Sequence, residues 1–313
     1  MQKDAQRVLI IRPGAIGDTL VVFPILQHLR TLSSQTHITV IGNVAVLPLM
    51  LAFKLADEVE NYEELVWSRL FMQPSSHKQA QLHTRLQHID RAICWLTDTN
   101  DLVKQNLQAA EIPVITIAPG RPTVSLPIVS YLAQSIGEAP ETIFWRTPTK
   151  YRWQKGQPAG QPPRAIAIHP GSGGQQKCWP IAHFATIITE LWQHNIPVLL
   201  LAGPADHERT NALRKLLPEP ASATLLHLLQ DVPLLTVAQE LRHCQSYLGN
   251  DAGISHLAAL IGLPTLVLFG ASDPTIWKPI GPTVIVMKAS SLDGLAPQAV
   301  YTQLMGLTLR HNG

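Results

Sequence analysis

Residues 165–191 read AIAIHPGSGGQQKCWPIAHFATIITEL, and this stretch decides the fold. A short apolar run at its start is followed by a loop with three glycines, and apolar residues at helical spacing come after Pro180. Proline suits the first turn of a helix, and the apolar positions after it fall on one helical face. The stretch therefore predicts a buried parallel strand, a glycine-rich loop and an amphipathic helix, which is the repeating unit of an α/β sheet.

The same unit recurs on both sides of this stretch. Further apolar runs that predict strands occupy residues 8–11, 38–41, 92–96, 114–117, 196–201, 264–269 and 283–287. A segment rich in Pro, Gly and Gln at residues 150–164 interrupts the alternation and predicts a linker. We expect an α/β protein with two Rossmann-like domains facing each other across a cleft, and ligands beyond the carboxyl ends of the strands. The predicted parts are an N-terminal domain at residues 1–150, a linker at 151–164, a C-terminal domain at 165–289 and a final segment, 290–313, that packs back on the N-terminal domain.

The composition excludes several classes of protein. Of the 313 residues, 46% are hydrophobic and 15% charged, which supplies a core and argues against a disordered chain. A formal net charge of +2 argues against a dominant electrostatic footprint for nucleic acid, although it leaves room for a local basic patch. The three cysteines, Cys94, Cys178 and Cys244, are far apart, which favours a reducing cytoplasm over a disulfide framework or zinc site. No stretch reaches the roughly 20 apolar residues of a membrane span, while peripheral contact at the inner face of the cytoplasmic membrane stays open.

Two loops of the C-terminal half carry groups that suit a phosphorylated ligand. In the first, the glycines after His169 let backbone amides approach an anion, Ser172 adds a hydroxyl donor and Lys177 adds a charge. The helix after Pro180 adds the positive end of its dipole, so the loop fits a diphosphate, although a turn with a solvated lysine has the same composition. In the second loop, Asp251 follows a short strand and precedes a helix. It either binds sugar hydroxyls or only caps that helix.

A third loop follows the first strand and ends in Asp18. A carboxylate facing the cleft can take the proton of an acceptor hydroxyl, but the helix dipole also favours an acid at a helix N-terminus. After the strand at 196–201, Asp206 and Glu208 either bond ribose hydroxyls or stand at a solvated helix start. Further candidates, for contact with an anionic acceptor, are Trp67, Arg69 and Arg121.

Together the three loops resemble the signatures of glycosyltransferase family 9, the heptosyltransferase family of lipopolysaccharide core assembly. The N-terminal signature, a strand followed by Gly-Asp and an apolar helix with Pro, is matched by Gly17-Asp18 and Phe23-Pro24. The central signature, a Gly/Ser/Thr loop with Lys-x-Trp-Pro, is matched by residues 172–180. The third, Asp-Ser/Thr-Gly-x-x-His-Leu, is matched by residues 251–257. The matches follow the expected order from residue 8 to about residue 281.

The resemblance implies a GT-B fold and metal-independent, inverting transfer of a sugar without a cofactor. It implies a heptose moved from an ADP-linked donor to a saccharide or glycolipid acceptor of the cell envelope. Asp18 would be the general base, the C-terminal domain would hold the donor, and the N-terminal domain would hold the acceptor. The implied donor residues are Ser172, Gly173 and Lys177 for the diphosphate, Asp251, Ala252, Gly253 and His256 for diphosphate and sugar, Glu208 for the ribose and Val232 for the adenine pocket.

Two departures from the family pattern keep other hypotheses open. Ala252 stands where the family has Ser or Thr, and Gly173 lacks a hydroxyl that some members carry. The donor is therefore ADP-heptose or another nucleotide sugar. The N-terminal half shows no acceptor signature, so the acceptor is a lipopolysaccharide core or a different molecule. Alternative functions are another nucleotide-sugar enzyme of the same architecture, such as an epimerase, and a catalytically silent protein that binds a nucleotide sugar.

Overall fold

A computed structural model describes residues 6–74, 79–153 and 164–312. The chain divides into two compact units, Met1–Arg146 and Thr147–Gly313, called here the first and the second unit. Each holds a sheet of parallel strands with helices between them, which confirms the predicted α/β class. The predicted linker at 151–164 falls mostly on residues 154–163, which lie outside the described residues.

In the described part of the first unit, five parallel strands follow the order β3-β2-β1-β4-β5. The strands are β1 (Arg7–Ile11), β2 (His37–Gly42), β3 (Glu58–Asn61), β4 (Arg91–Trp95) and β5 (Val114–Ala118). The helices are α1 (Ile16–Leu20), α2 (Phe23–Leu32), α3 (Leu47–Ala52), α4 (Leu65–Ser68), α5 (Ala80–Leu86), α6 (Leu102–Ala109) and α7 (Ile128–Ser135). The central strand β1 is buried on both faces, as its continuous apolar sequence predicts.

One face of this sheet packs against α4, α5 and α6. Leu9 and Ile11 lie on that face, and Trp67, Leu82 and Leu107 pack in the same core. Trp67 is 1% exposed, so its ring fills the core and cannot contact an acceptor from this position. The suggestion that Trp67 binds an acceptor is therefore wrong for this structure, because its ring is packed among apolar side chains of the first unit and presents no surface to a ligand.

In the described part of the second unit, six parallel strands follow the order β11-β10-β9-β6-β7-β8. The strands are β6 (Ile166–His169), β7 (Val198–Ala202), β8 (Leu226–Gln230), β9 (Tyr247–Asn250), β10 (Thr265–Phe269) and β11 (Val284–Lys288). The helices are α8 (Ile181–Gln193), α9 (His207–Leu216), α10 (Leu234–Leu241), α11 (Gly253–Leu260), α12 (Pro274–Trp277) and α13 (Pro297–Asn312). This is the strand order of the dinucleotide-binding fold, with its topological switch point between β6 and β9.

The final helix, α13, belongs to the core of the second unit. Its side chains Val300, Leu304 and Leu307 recur at helical spacing and are buried in the same cluster as the apolar face of α8. The sequence predicts that residues 290–313 pack back on the N-terminal domain. In the structure the apolar stripe of this helix covers α8 and β10 of its own unit, and contact with the N-terminal domain stays a prediction. Among the described residues, no helix has the length and apolar character needed to cross a membrane.

Candidate functional site

The glycine-rich loop after β6 is tied to the end of β9 by one buried side chain, Asn250. Its Nδ2 donates hydrogen bonds to the carbonyl oxygens of Pro170 at 2.8 Å and Gly171 at 3.2 Å. Its Oδ1 accepts a hydrogen bond of 2.9 Å from the backbone amide of Trp179. Both ends of the glycine-rich loop are thus fixed to β9, the neighbour of β6 at the topological switch point. Sequence reasoning missed Asn250, although a polar residue ending a buried strand is a usable signal, because buried amides need partners.

The structure brings together three of the predicted donor residues. Oγ of Ser172 donates a hydrogen bond of 2.7 Å to the carbonyl oxygen of Asp251. Nζ of Lys177 lies 2.8 Å from Oδ2 of Asp251, and the side chains are 42% and 8% exposed, respectively. Lys177 closes a single turn of 3₁₀ helix, Gln175–Lys177, which turns its ammonium group toward β9. The loops after β6 and β9 therefore form one polar cluster at the carboxyl edge of the sheet.

Helix α11 begins beside this cluster without a side-chain cap. Its N-cap residue is Ala252, which makes no capping hydrogen bond, and Gly253 is the first helical residue. The Asp251 carboxylate contacts Lys177 instead, so the alternative in which Asp251 only caps the helix does not describe the structure. A helix start without a side-chain cap presents amide groups that suit an anion. His256 is buried one turn further along α11.

A second pair, His169 and Asp206, supports the glycine-rich loop from the side of β7. Nε2 of His169 lies 3.0 Å from Oδ2 of Asp206, and the amide of Gly203 donates to the same oxygen at 2.9 Å. A Cβ at Gly171 would lie 1.9 Å from Oδ1 of Asp206, so only glycine allows this close approach. Burial alone would raise the pKa of the Asp206 carboxyl, but the hydrogen bonds from His169 and Gly203 outweigh it and lower that pKa.

The remaining predicted donor residues lie on the next two strand ends. Asp206 is buried in contact with His169, which favours a structural role over a ribose contact. Glu208 is exposed in the first turn of α9, after β7. Val232 is half-buried between β8 and α10. Neither Glu208 nor Val232 belongs to the ion-paired cluster of Lys177 and Asp251, but both follow strand ends at the same edge of the sheet.

In the first unit, Asp18 lies in α1 against the buried guanidinium of Arg12, which is 2% exposed. Nη2 of Arg12 lies 3.2 Å from Oδ1 of Asp18, and Nε donates to the Asp18 carbonyl oxygen at 2.9 Å. The amide of Ala15 donates to Oδ2 of Asp18 at 3.1 Å. Gly14, with φ +131°, makes the turn, and a Cβ there would lie 2.8 Å from the same Oδ2. Burial lowers the pKa of the Arg12 guanidinium, and Asp18 acts in the opposite direction.

Comparison with known proteins agrees with the architecture described above, in which each unit has a sheet of parallel strands with polar loops after the strand ends. The fold is of the GT-B type, shared with solved heptosyltransferases. The family model for glycosyltransferase family 9 (heptosyltransferase) matches residues 130–305, which is more than half of the chain. The chain belongs to this family.

Individual relatives are distant. Lipopolysaccharide heptosyltransferase 2 of Escherichia coli K12 is 26% identical over 163 residues, 46% of this chain and 47% of that protein. The chain spans about half or less of the length of most curated relatives that it matches. The solved Escherichia coli ADP-heptose lipopolysaccharide heptosyltransferase II has a TM-score of 0.77 at 22% identity, covering 98% of this chain and 100% of that chain. An Escherichia coli heptosyltransferase with ADP gives 0.70 at 17% identity, covering 96% and 100%.

Proposed function

We propose that the chain is an inverting glycosyltransferase that moves a heptose from an ADP-linked donor to a saccharide or glycolipid acceptor of the cell envelope. The observation that carries this proposal is the order of the candidate groups along the edge of the second sheet. Family membership and the names of the relatives, several of which are lipopolysaccharide heptosyltransferases, support the choice of sugar and acceptor.

Four neighbouring strands, β9, β6, β7 and β8, carry these groups in the order of the parts of a nucleotide sugar. Asp251 follows β9 and suits the sugar, and Lys177 follows β6 and suits the diphosphate. Glu208 follows β7 and suits the ribose, while Val232 follows β8 and suits the base. Neighbouring strands are about 4.8 Å apart, so the four ends span roughly 14 Å. An extended donor laid across the switch point would meet each group in turn.

In the proposed mechanism, charge that develops on the leaving diphosphate is stabilised by groups of two loops. Lys177 supplies a full charge, and the amides at the start of α11 and in residues 171–174 supply oriented dipoles. These groups are held in place before the reaction, because Asn250 and Asp206 fix the glycine-rich loop from two sides. Ala252 contributes no hydroxyl, so sugar recognition at this position relies on Asp251 and backbone groups.

Asp18 is proposed as the general base of the first unit. Its carboxylate takes the proton of the acceptor hydroxyl while that oxygen bonds to the anomeric carbon, and the bond from that carbon to the diphosphate oxygen breaks. The nucleotide leaves as the diphosphate, and the anomeric configuration inverts in one displacement. The contacts of both Asp18 oxygens with Arg12 and Ala15 support this role, because they hold the carboxylate in a defined orientation.

A donor screen tests the proposal. Binding of ADP-, UDP- and GDP-linked sugars is measured by calorimetry, and products are analysed with and without a lipopolysaccharide-core acceptor. We expect the ADP-linked heptose to bind most tightly and to be transferred only when the acceptor is present, with inversion at the anomeric carbon. Product formed without an acceptor would support an epimerase, and tight binding without turnover would support a silent binding protein.

The Asp18→Asn variant supplies the matched control. It keeps the shape of the side chain and an oxygen that accepts from Arg12, but it cannot take a proton. We expect ADP affinity close to that of the wild type and a severe loss of turnover. Loss of ADP binding in this variant would contradict the assignment of Asp18 as a base.

A further inference from the structure

We propose that Arg12 is a positioning residue for Asp18: it orients the carboxylate that receives the acceptor proton and does not itself bind a substrate. This inference rests on the proposed function, since it takes Asp18 as the base. It adds to that function a role for Arg12, the residue that follows β1.

Arg12 directs its guanidinium donors to groups of the protein. Nε donates to the Asp18 carbonyl oxygen at 2.9 Å, Nη1 to the Trp95 carbonyl oxygen at 3.4 Å, and Nη2 to Asp18 Oδ1 at 3.2 Å. All three nitrogens of the guanidinium are therefore engaged by the protein, and the residue is only 2% exposed. An arginine that binds a substrate anion needs free, accessible donors. Arg12 instead joins the loop after β1 to the end of β4.

The Asp18 carboxylate is held at both of its oxygens. Arg12 contacts Oδ1, and the Ala15 amide donates to Oδ2 at 3.1 Å. Two contacts on different oxygens restrict rotation of the carboxylate, which neither contact would achieve alone. The planar guanidinium is suited to this role, because its donors keep a fixed geometry that a lysine ammonium group lacks.

The Arg12 guanidinium is itself held in place. A Cβ at Gly120 would lie 2.5 Å from Nη1, so the loop after β5 closes on the Arg12 side chain. The backbone of Arg12 is also fixed, since its amide donates to the Ile41 carbonyl oxygen at 2.9 Å. Gly120 thus restricts the Arg12 side chain at Nη1, while Asp18 contacts Nη2. A group that positions a catalytic residue must itself be held in place in this manner.

The test compares Arg12→Met and Arg12→Lys with the wild type in the transfer assay, together with ADP binding by calorimetry. We expect kcat to fall about 100-fold in Arg12→Met, the scale associated with a misplacement of about 1 Å. The KM for the acceptor and the affinity for ADP should stay near the wild-type values. Arg12→Lys keeps the positive charge but lacks the planar arrangement of guanidinium donors. Its kcat should therefore lie between those of the wild type and Arg12→Met.

Two further variants separate positioning from folding. Gly120→Ala pushes on Nη1 without changing any charge and should also lower kcat. Arg30→Met removes another arginine–aspartate pair, Arg30 with Asp57, near the amino ends of β2 and β3. It is the matched control, because it lies at the opposite edge of the sheet from Asp18 and should leave kcat per folded protein unchanged. Folded protein is measured by thermal unfolding of each variant, with assays run below the transition.

Each outcome decides between the inference and its alternatives. A wild-type kcat in Arg12→Met would overturn the inference, and so would a raised acceptor KM at unchanged kcat, which would identify Arg12 as an acceptor ligand. An equal loss of kcat in Arg30→Met would show a general effect of destabilising the unit and would also overturn it. Absence of transfer by the wild type would instead refute the proposed function, and the inference with it.

Discussion

Replacement of Gly171 by alanine adds one methyl group where the glycine-rich loop packs against Asp206. The new Cβ would lie 1.9 Å from Oδ1 of Asp206. In protein structures, non-bonded heavy atoms essentially never come within 3.0 Å of a Cβ atom. The loop or the carboxylate must therefore move by about 1 Å. Asp206 has little freedom to do so, because Oδ2 is held by His169 at 3.0 Å and by the Gly203 amide at 2.9 Å.

The magnitude follows from the contacts that such a movement breaks. Overpacking a closely packed site costs about 1–3 kcal/mol. A shift of about 1 Å also takes one bond of Asp206 beyond hydrogen-bonding distance, and a hydrogen bond to a charged group contributes about 1.5–3 kcal/mol. Since the two effects relieve each other in part, we expect Gly171→Ala to lower the free energy of unfolding by about 2–4 kcal/mol.

Thermal unfolding followed by circular dichroism measures this loss. For a domain of this size, 1 kcal/mol corresponds to roughly 2–4 °C, so the Tm should fall by about 5–15 °C. Gly174→Ala is the control, because its Cβ would meet no heavy atom within 4 Å and its φ of −170° suits any residue. The reasoning would be refuted if Gly171→Ala and Gly174→Ala unfolded at the same temperature.

Three further predictions concern charged groups. Asp18→Ala should destabilise the first unit by about 3 kcal/mol, because it leaves the buried Arg12 guanidinium without its side-chain acceptor, whereas Asp18→Asn keeps one oxygen that accepts from Arg12 and should lose less stability; equal Tm values for the two variants would contradict this. Lys177→Met should weaken ADP binding about 10- to 100-fold in calorimetry through loss of one charge-assisted hydrogen bond, and an unchanged affinity would exclude Lys177 from the diphosphate site. The pKa of Asp206 is lower in the folded than in the unfolded protein, so its ionised form stabilises the fold. This stabilisation is complete above the unfolded-state pKa of about 3.9 and is lost as the pH falls through the lower folded-state pKa. The Tm difference between wild type and Asp206→Asn should therefore shrink below about pH 4, and a constant difference would contradict the assignment.

The central strands could be predicted from the sequence because they are buried on both faces. β1, β6 and β10 carry continuous apolar runs, and the structure has strands at those positions. The edge strands of the described sheets have partly exposed side chains; β5 and β11 still carry apolar runs and were predicted, whereas β3 and β8 were missed. The sequences of β3 and β8, EVEN and LHLLQ, lack a continuous apolar run or show only a short one.

The candidate site was predictable in its positions but not in its contacts. Loops after parallel strands gather at one edge of a sheet, so Ser172, Lys177 and Asp251 could be expected to lie near one another. The partners of these groups depend on side chains distant in sequence. Asn250 and Arg12 act through contacts that span 80 residues and 83 residues, respectively, and no local pattern specifies such pairs.

The ion pair between Lys177 and Asp251 has a consequence for ligand selection. Under the proposed function, a diphosphate that approaches Lys177 would meet an ammonium group whose charge is already shared with a carboxylate, so the two anions would compete for one cation. Binding would then be an exchange of partners, in which Asp251 gives up part of its contact with Lys177. A ligand that also offers hydroxyl groups to the released carboxylate compensates for this loss, and a bare nucleotide diphosphate does not. The pair would thereby favour an intact sugar donor over the spent nucleotide and assist release of the product after transfer.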